Sequence, residues 1–293
     1  MKRLIVNADD FGLTAGVNSA ILQLHTARRL TSTTLMAYAA ATEEAAEAAR
    51  NTPSLGVGCH VVLVDGTPIL PPERLPTLVD PRTGRFRRTL GRFVRDLLAR
   101  RIRQDEIAAE ATAQIERLRA RGVSLTHIDT HKHTHMFPTV LEPLLRAATH
   151  CGIASIRNPF EPQWSLTATR NAPTMRRLQV HLLHRMRDSF LQRVNASGVA
   201  TTDGAIGVLA TGTLDTDTIA ALLAAMPNGT WELVTHPGYA DSALSDAGTR
   251  LVASRAVELA ALKAMQAPSD TEWIHFGELR ESKRTQQAGA THR

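Results

Sequence analysis

The chain of 293 residues carries only two cysteines, Cys59 and Cys151, and aromatic residues make up 4% of it. Two thiols cannot build a disulfide framework, and they fit a reducing compartment. Long apolar runs are also missing. The longest uninterrupted one is Ile219 to Met226, eight residues, against the roughly 20 that a membrane-spanning helix needs. At the start of the chain Lys2 and Arg3 precede only Leu4, Ile5 and Val6 before Asn7 and two aspartates. That leaves no apolar core for a signal peptide, and the expectation is a cytoplasmic protein. There is no Gly-x-Ser-x-Gly elbow and no Gly-Lys-Ser/Thr phosphate loop, so serine hydrolases and P-loop enzymes are not expected.

What is present is ordinary globular composition, 43% hydrophobic and 21% charged. The formal net charge of +6 is concentrated in one stretch: nine arginines (82, 85, 87, 88, 92, 95, 100, 101 and 103) with one acid, Asp96, give that segment +8 and leave −2 for the remainder. One short basic segment is not a basic fold, and neither a paired Cys/His finger nor an aromatic RNA platform accompanies it. No nucleic-acid partner is expected. The segment reads as a solvated helix face or loop, or as a patch facing an anionic membrane surface.

Apolar runs bounded by turn residues alternate with helical patterns from end to end, the signature of repeated βα units and a largely parallel sheet. Strands are expected near 3–8, 33–37, 56–63, 124–129, 153–157, 205–209, 231–235 and 272–276, and helices over 14–28, 104–122, 138–151, 215–226 and 247–265. In the second helix Ile107, Ala111, Ile115 and Leu118 form one apolar stripe that should pack on the sheet. The reading is a single domain over 1–280 with insertions near 65–103 and 158–202 and a disordered tail at 281–293. Within the second insertion Met175, Leu178, Leu182, Met186 and Phe190 recur at helical spacing, with arginines interspersed. Such a stripe lies on a membrane surface, packs on the rest of the protein, or meets the partner of a homodimer.

The strongest chemical signal is His127 to His135, with four histidines in nine residues. Alternate residues of a strand share a face, so His127, Asp129 and His131 can point together at a strand end. Imidazole and carboxylate clusters of this kind bind zinc, iron, manganese or similar ions. Asp9 and Asp10 directly follow apolar strand residues, at the edge where α/β proteins place function. Adjacent acids there can divide labour between metal and base, or one can cap the next helix. His60 stands inside an otherwise apolar strand, as a ligand or as a core histidine, while Cys59 should face the other way. His236 stands where a strand meets a Pro-Gly turn, placed to give or take a proton near neutral pH. Trp164 and Phe160 are candidates to stack on a sugar ring or to pack in the core.

Taken together, Asn7-Ala8-Asp9-Asp10-Phe11-Gly12, Thr31-Ser32-Thr33-Thr34, Gly58-Cys59-His60, the run from Thr126 to Pro138, and His236-Pro237-Gly238 closely resemble the motifs of the YdjC-like carbohydrate deacetylase family. They occur in the family's order, from about Lys2 to Gly238. The resemblance implies an α/β fold, a distorted (βα) TIM-like barrel related to polysaccharide deacetylases. It also implies one divalent metal ion (Zn, Mg or Mn) held by one Asp and two His, and removal of N-acetyl groups from amino sugars. By position it makes Asp10, His60 and His131 the metal ligands, Asp9 the general base and His236 the acid. His127, Asp129, His133, His135, Arg157 and Trp164 would support the ligands or touch substrate, and Arg255 and Glu258 resemble the family's helical Arg/Glu pair. The stretches Val61 to Gly66, Arg85 to Arg88, Ile156 to Pro162 and His236 to Asp241 resemble one branch, the hopanoid-biosynthesis-associated deacetylases (HpnK). That branch implies a lipid-linked substrate, bacteriohopanetetrol N-acetylglucosamine, and contact with a membrane surface.

Overall fold

The computed structural model describes residues 1–170, 172, 174–266 and 268–279. Its elements run β1 (Lys2–Phe11), α1 (Ala15–Thr26), β2 (Ser32–Met36), α2 (Thr42–Asn51), β3 (Gly56–Val61), α3 (Leu90–Leu98), α4 (Gln104–Ala120), β4 (Leu125–Thr130), α5 (Pro138–His150) and β5 (Ser155–Ile156). There follow α6 (Gln163–Ala168), α7 (Thr174–His184), α8 (Arg187–Ser197), β6 (Gly204–Ile206), α9 (Thr216–Ala225), β7 (Gly229–Thr235), α10 (Ser242–Asp246), α11 (Ala253–Ala264) and β8 (Thr271–Trp273). All eight expected strands form. The proposed tail at 281–293 lies outside the described residues.

The strands pair in parallel in the order β5-β4-β3-β2-β1-β7-β6, with β8 also beside the start of β1. The sheet curls until its edges meet: the Ile156 amide donates to the Ala200 carbonyl at 2.9 Å, the Ala200 amide to Ala154 at 2.9 Å, and the Ala205 amide to Phe160 at 3.3 Å. This is a distorted TIM-like barrel whose seam is clasped by these few bonds. Period-two alternation sorts β1 into two faces. Leu4, Val6 and Ala8 join the large core under the helices, whereas Ile5 meets Ala200, Ile274, Phe276 and Leu279 in a small cluster inside the barrel. Asn7 and Asp9 then follow Ile5 up the inner face toward the strand ends.

Local sequence explains several boundaries. Helix α1 is capped by Thr14, which accepts from the Val17 amide, and α9 by Asp215. Strand β3 stops at Val61, two residues before the expected end, because the Gln114 side chain takes both the amide and the carbonyl of Val62 at 2.8 Å. One turn back on α4, Glu110 accepts from the Ile69 and Leu70 amides, and Glu106 from those of Thr77 and Leu78. Thus α4 presents its expected apolar stripe to the core, with Ile107, Ala111, Ile115 and Leu118 fully buried, and an acceptor ladder to the first insertion.

The arginine segment follows this ladder and is anchored at Arg87. Arg87 is buried, with Nε on Asp96 at 2.7 Å and Nη1 on the Leu78 carbonyl at 2.7 Å, while Arg92 pairs with Asp80 and Arg103 with Asp105. Phe86, Phe93 and Leu97 fill the space beneath. The segment is a folded excursion in which Arg87 is buried and the other eight arginines are exposed, so the solvated-face reading holds for all but one of them. The second insertion differs from expectation. The stripe breaks at Arg185 and Met186 into α7 and α8, so Phe190 is buried while Met175, Leu178 and Leu182 stay 60–66% exposed. The expected helix over 247–265 forms as α11 but starts six residues later, after the short α10, and α2 arises where no helix was expected. Among the described residues no helix is long and apolar enough to cross a membrane.

Candidate active site

Adjacent residues of a regular strand point to opposite faces, yet Asp9 and Asp10 both turn into one site. The cause is a bulge. Ala8 pairs with Thr33 and Phe11 with Leu35, so β1 holds one residue more than β2 in that interval, and Asp10 takes a left-handed backbone with φ 65°. Bulges re-aim side chains in this way and are frequent beside active sites. A non-glycine residue with positive φ costs about 1–3 kcal/mol, here borne by surroundings that bury both acids.

Asp10 Oδ1 lies 3.5 Å from His60 Nε2 and 3.6 Å from His131 Nδ1, and the two imidazole nitrogens are 3.3 Å apart. Donors at about 2.0–2.2 Å from one tetrahedral centre are spaced this way, and these three form a candidate metal-holding group. The orientation of each is fixed from behind. His60 Nδ1 is 2.7 Å from Asp129 Oδ1, which places its proton there and leaves Nε2 as the donor atom. Arg255, fully buried on α11, donates to the other oxygen of Asp10. Burial opposes a charged His60, but Asp129, Asp9 and Asp10 together push it up to about 9. Burial would raise Asp10, yet Arg255 and His131 hold it well below the usual carboxylate range. An anion-rich pocket with two aligned imidazoles fits a divalent cation.

Asp9 stands beside this group on its own network. Its Oδ1 accepts from Arg157 Nη2 at 2.6 Å, Asn7 Nδ2 at 3.0 Å and Thr34 Oγ1 at 3.3 Å. Its Oδ2 accepts from Arg157 Nη1 at 2.9 Å and faces His236 Nε2 at 3.7 Å. Burial would raise Asp9, but Arg157, with His60 and His236, keeps it ionised far below its ordinary value. Oδ1 is saturated, so Oδ2 is the oxygen with room for a proton. The imidazole of His236 lies between Asp9 and Glu258: Nδ1 is 3.9 Å from Glu258 Oε2, which also accepts the His236 amide at 2.6 Å.

The structure therefore brings together Asp9, Asp10, His60, His131, Asp129, Arg157, His236, Arg255 and Glu258, and sets others apart. His127 is buried in the barrel floor, stacked on Phe276 at 3.9 Å and bonded to Thr126. Strand alternation puts it on the inner face, but one pleat too deep to touch a ligand or substrate. His135 is buried against Phe190, with Nδ1 on Thr130 Oγ1 at 2.6 Å. Phe160 is buried and so not presented to a sugar, while Trp164, half-buried, packs edge-on to Trp231 at 5.1 Å. His133, half-buried with φ 52°, is pushed down to about 3 by burial and the charge of Arg157. It stays neutral near pH 7 and can exchange hydrogen bonds there but carry no charge. Sequence reasoning missed Glu232, Asn7 and Thr34. Glu232 was visible as a lone acid in the apolar strand Trp231 to Val234.

Comparison with known proteins gives a consistent picture. A family model described as "YdjC-like protein" matches residues 3–272. The chain is 28% identical over 244 residues to a carbohydrate deacetylase of Thermoanaerobacter pseudethanolicus, covering 83% of this chain and 84% of that protein. It is 39% identical over 153 residues to a chitooligosaccharide deacetylase of Salmonella typhimurium, covering 52% and 57%. Against several further curated relatives the chain spans only 51–65% of their length. The fold is similar to the crystal structure of a proposed cellobiose-phosphate cleavage protein of Enterococcus faecalis V583, with a TM-score of 0.70, 25% sequence identity, and 95% and 98% of the two chains covered.

Proposed function

The chain belongs to the YdjC-like protein family, and from that premise and the site geometry we propose that it is a metal-dependent carbohydrate deacetylase acting on an N-acetylglucosamine-bearing substrate. The observation that carries the reading is the juxtaposition of a three-donor group, Asp10, His60 and His131, with an ionised carboxylate and an imidazole 3.7 Å apart, Asp9 and His236. Hydrolysis of an acetamide needs an activated water, a stabilised oxyanion and a protonated leaving nitrogen. A divalent cation (Zn, Mg or Mn) held by the three donors would supply Lewis acidity toward the acetamide carbonyl and the attacking water. Asp9 Oδ2 takes the proton as the water oxygen bonds to the carbonyl carbon. His236 Nε2 then protonates the sugar nitrogen as the C–N bond breaks, so that acetate and a free amine leave. Glu258 steadies His236 from the far side, and Arg157 keeps Asp9 aimed.

For the substrate itself, the lipid-linked bacteriohopanetetrol N-acetylglucosamine is the preferred reading. It is supported by the branch-like sequence stretches and by the exposed apolar Met175, Leu178 and Leu182 on α7, which suit contact with a membrane surface. A soluble chitooligosaccharide is the second reading, favoured by the name of the Salmonella relative. Acetate release by metal-loaded and chelated protein, from the hopanoid glycolipid and from N,N′-diacetylchitobiose in parallel, tests both. Release from the lipid alone, lost on chelation, supports the first. Release from chitobiose alone keeps the reaction and discards the lipid, and no release from either overturns the proposal.

A further inference from the structure

Arg157 uses every N–H it has. Nε donates to Glu232 Oε1 at 2.8 Å; Nη2 donates to Glu232 Oε1 and to Asp9 Oδ1, both at 2.6 Å; Nη1 donates to Asp9 Oδ2 at 2.9 Å and to Asp129 Oδ2. Arginine has five such donors in one rigid plane, and here three carboxylates take all five with the side chain fully buried. A single guanidinium thus fixes both the base and the carboxylate behind His60. Because the group is planar, the acceptor on its Nε edge sets the plane of the whole fork. That acceptor is Glu232, on β7 in register with Ile5 of β1, and fully buried itself. It touches neither the three donors of the metal group nor His236.

We propose that Glu232 is a positioning residue: by holding the Nε edge of Arg157 it directs the other donors onto both oxygens of Asp9. Without that carboxylate, one Nε–H and one Nη2–H are buried with no acceptor, a penalty large enough to turn the guanidinium. Asp9 then loses its two-point aim and Asp129 its bond from Nη1, while Asp129 keeps His60 Nδ1 at 2.7 Å and Asp10 keeps Arg255. Only the rate readout below rests on the deacetylase reading.

Three comparisons in the full-length, metal-loaded protein test this. In Glu232→Leu, kcat falls about 100-fold with KM and the calorimetric metal Kd within about threefold of wild type, as expected for lost orientation. Glu232→Gln, whose amide oxygen still accepts, recovers to within about tenfold of wild type. Combining Glu232→Leu with Arg157→Lys costs no more than Arg157→Lys alone, because Glu232 acts through that one side chain. Additive losses, or equal losses in the Leu and Gln variants, overturn the proposal. If Glu232→Leu does not fold, Glu232→Asp replaces it, its carboxylate one methylene short of the Nε edge. The crystal structure of the same variant decides independently of turnover: a guanidinium rotated off Asp9 supports the role, and a fork retained on both oxygens refutes it. Wild-type protein that releases no acetate removes the deacetylase reading and leaves that structural comparison standing.

Discussion

Replacing Asp9 by asparagine isolates the base from the metal group. Asp9 Oδ1 accepts from Arg157, Asn7 and Thr34, so the amide oxygen must occupy that position and the amide nitrogen falls at Oδ2. One charge-assisted bond, that from Arg157 Nη1, is then lost, while Nη1 keeps Asp129. Such a bond is worth about 1.5–3 kcal/mol, and at about 2–4 °C per kcal/mol for a chain this large the melting temperature should fall by about 3–12 °C. The fold survives. Turnover does not: the oxygen that would take the water proton has become an N–H donor, and losing a positioned base costs roughly 10²–10⁴ in kcat, or about 3–5.5 kcal/mol of barrier. The assay is acetate release at saturating substrate and metal, beside a calorimetric metal titration of the same sample. Turnover within about threefold of wild type would refute the assignment of the base. Loss of the cation in step with activity would instead make Asp9 a ligand.

Asp129→Asn removes the charge behind His60 Nδ1, and metal affinity should drop about 10–100-fold; an unchanged Kd in a calorimetric titration counts against that support. The acid groups push His60 up to about 9, above its ordinary value, so below that pH an entering cation displaces a proton and its affinity weakens as pH falls. Metal titrations at about pH 7 in two buffers of different ionisation heat should therefore show release of about one proton, and none would contradict the arrangement. Glu110→Ala strands the Ile69 and Leu70 amides at about 1–3 kcal/mol each. The excursion over 62–103 should then be nicked by protease well before the barrel, and a nicking rate equal to that of wild type would show that the ladder does not hold it.

The strands were legible because βα repetition leaves apolar runs bounded by turns, and the helices with a clear stripe, such as α4, were legible for the same reason. Helix α2 escaped notice since its sequence, Thr42 to Asn51, buries only alanines and a threonine, too little apolar mass for a periodic signal. The 175–190 stripe misled because spacing alone does not reveal the break at Arg185 and Met186. At the site, the residue types were readable and the directions were not. Alternation would send Asp9 and Asp10 apart, and only the bulge turns them together; the same alternation grouped His127 with Asp129 but could not show that it lies a layer deeper. Arg157 meets Asp9 across 148 residues of sequence and meets Glu232 across 75, so their partnership needed the closed barrel to become visible.

The seam carries one more consequence. The second excursion leaves the barrel where β5 gives way to the clasp at Ala200 and Ala205, and the first leaves at the top of β3, whereas the donors and proton-handling groups hang on β1, β3, β4, β7 and α11. Most of the barrel's hoop is thus independent of the two excursions that rise around its mouth. A change of length or chemistry there therefore leaves the three donors Asp10, His60 and His131 on their own supports.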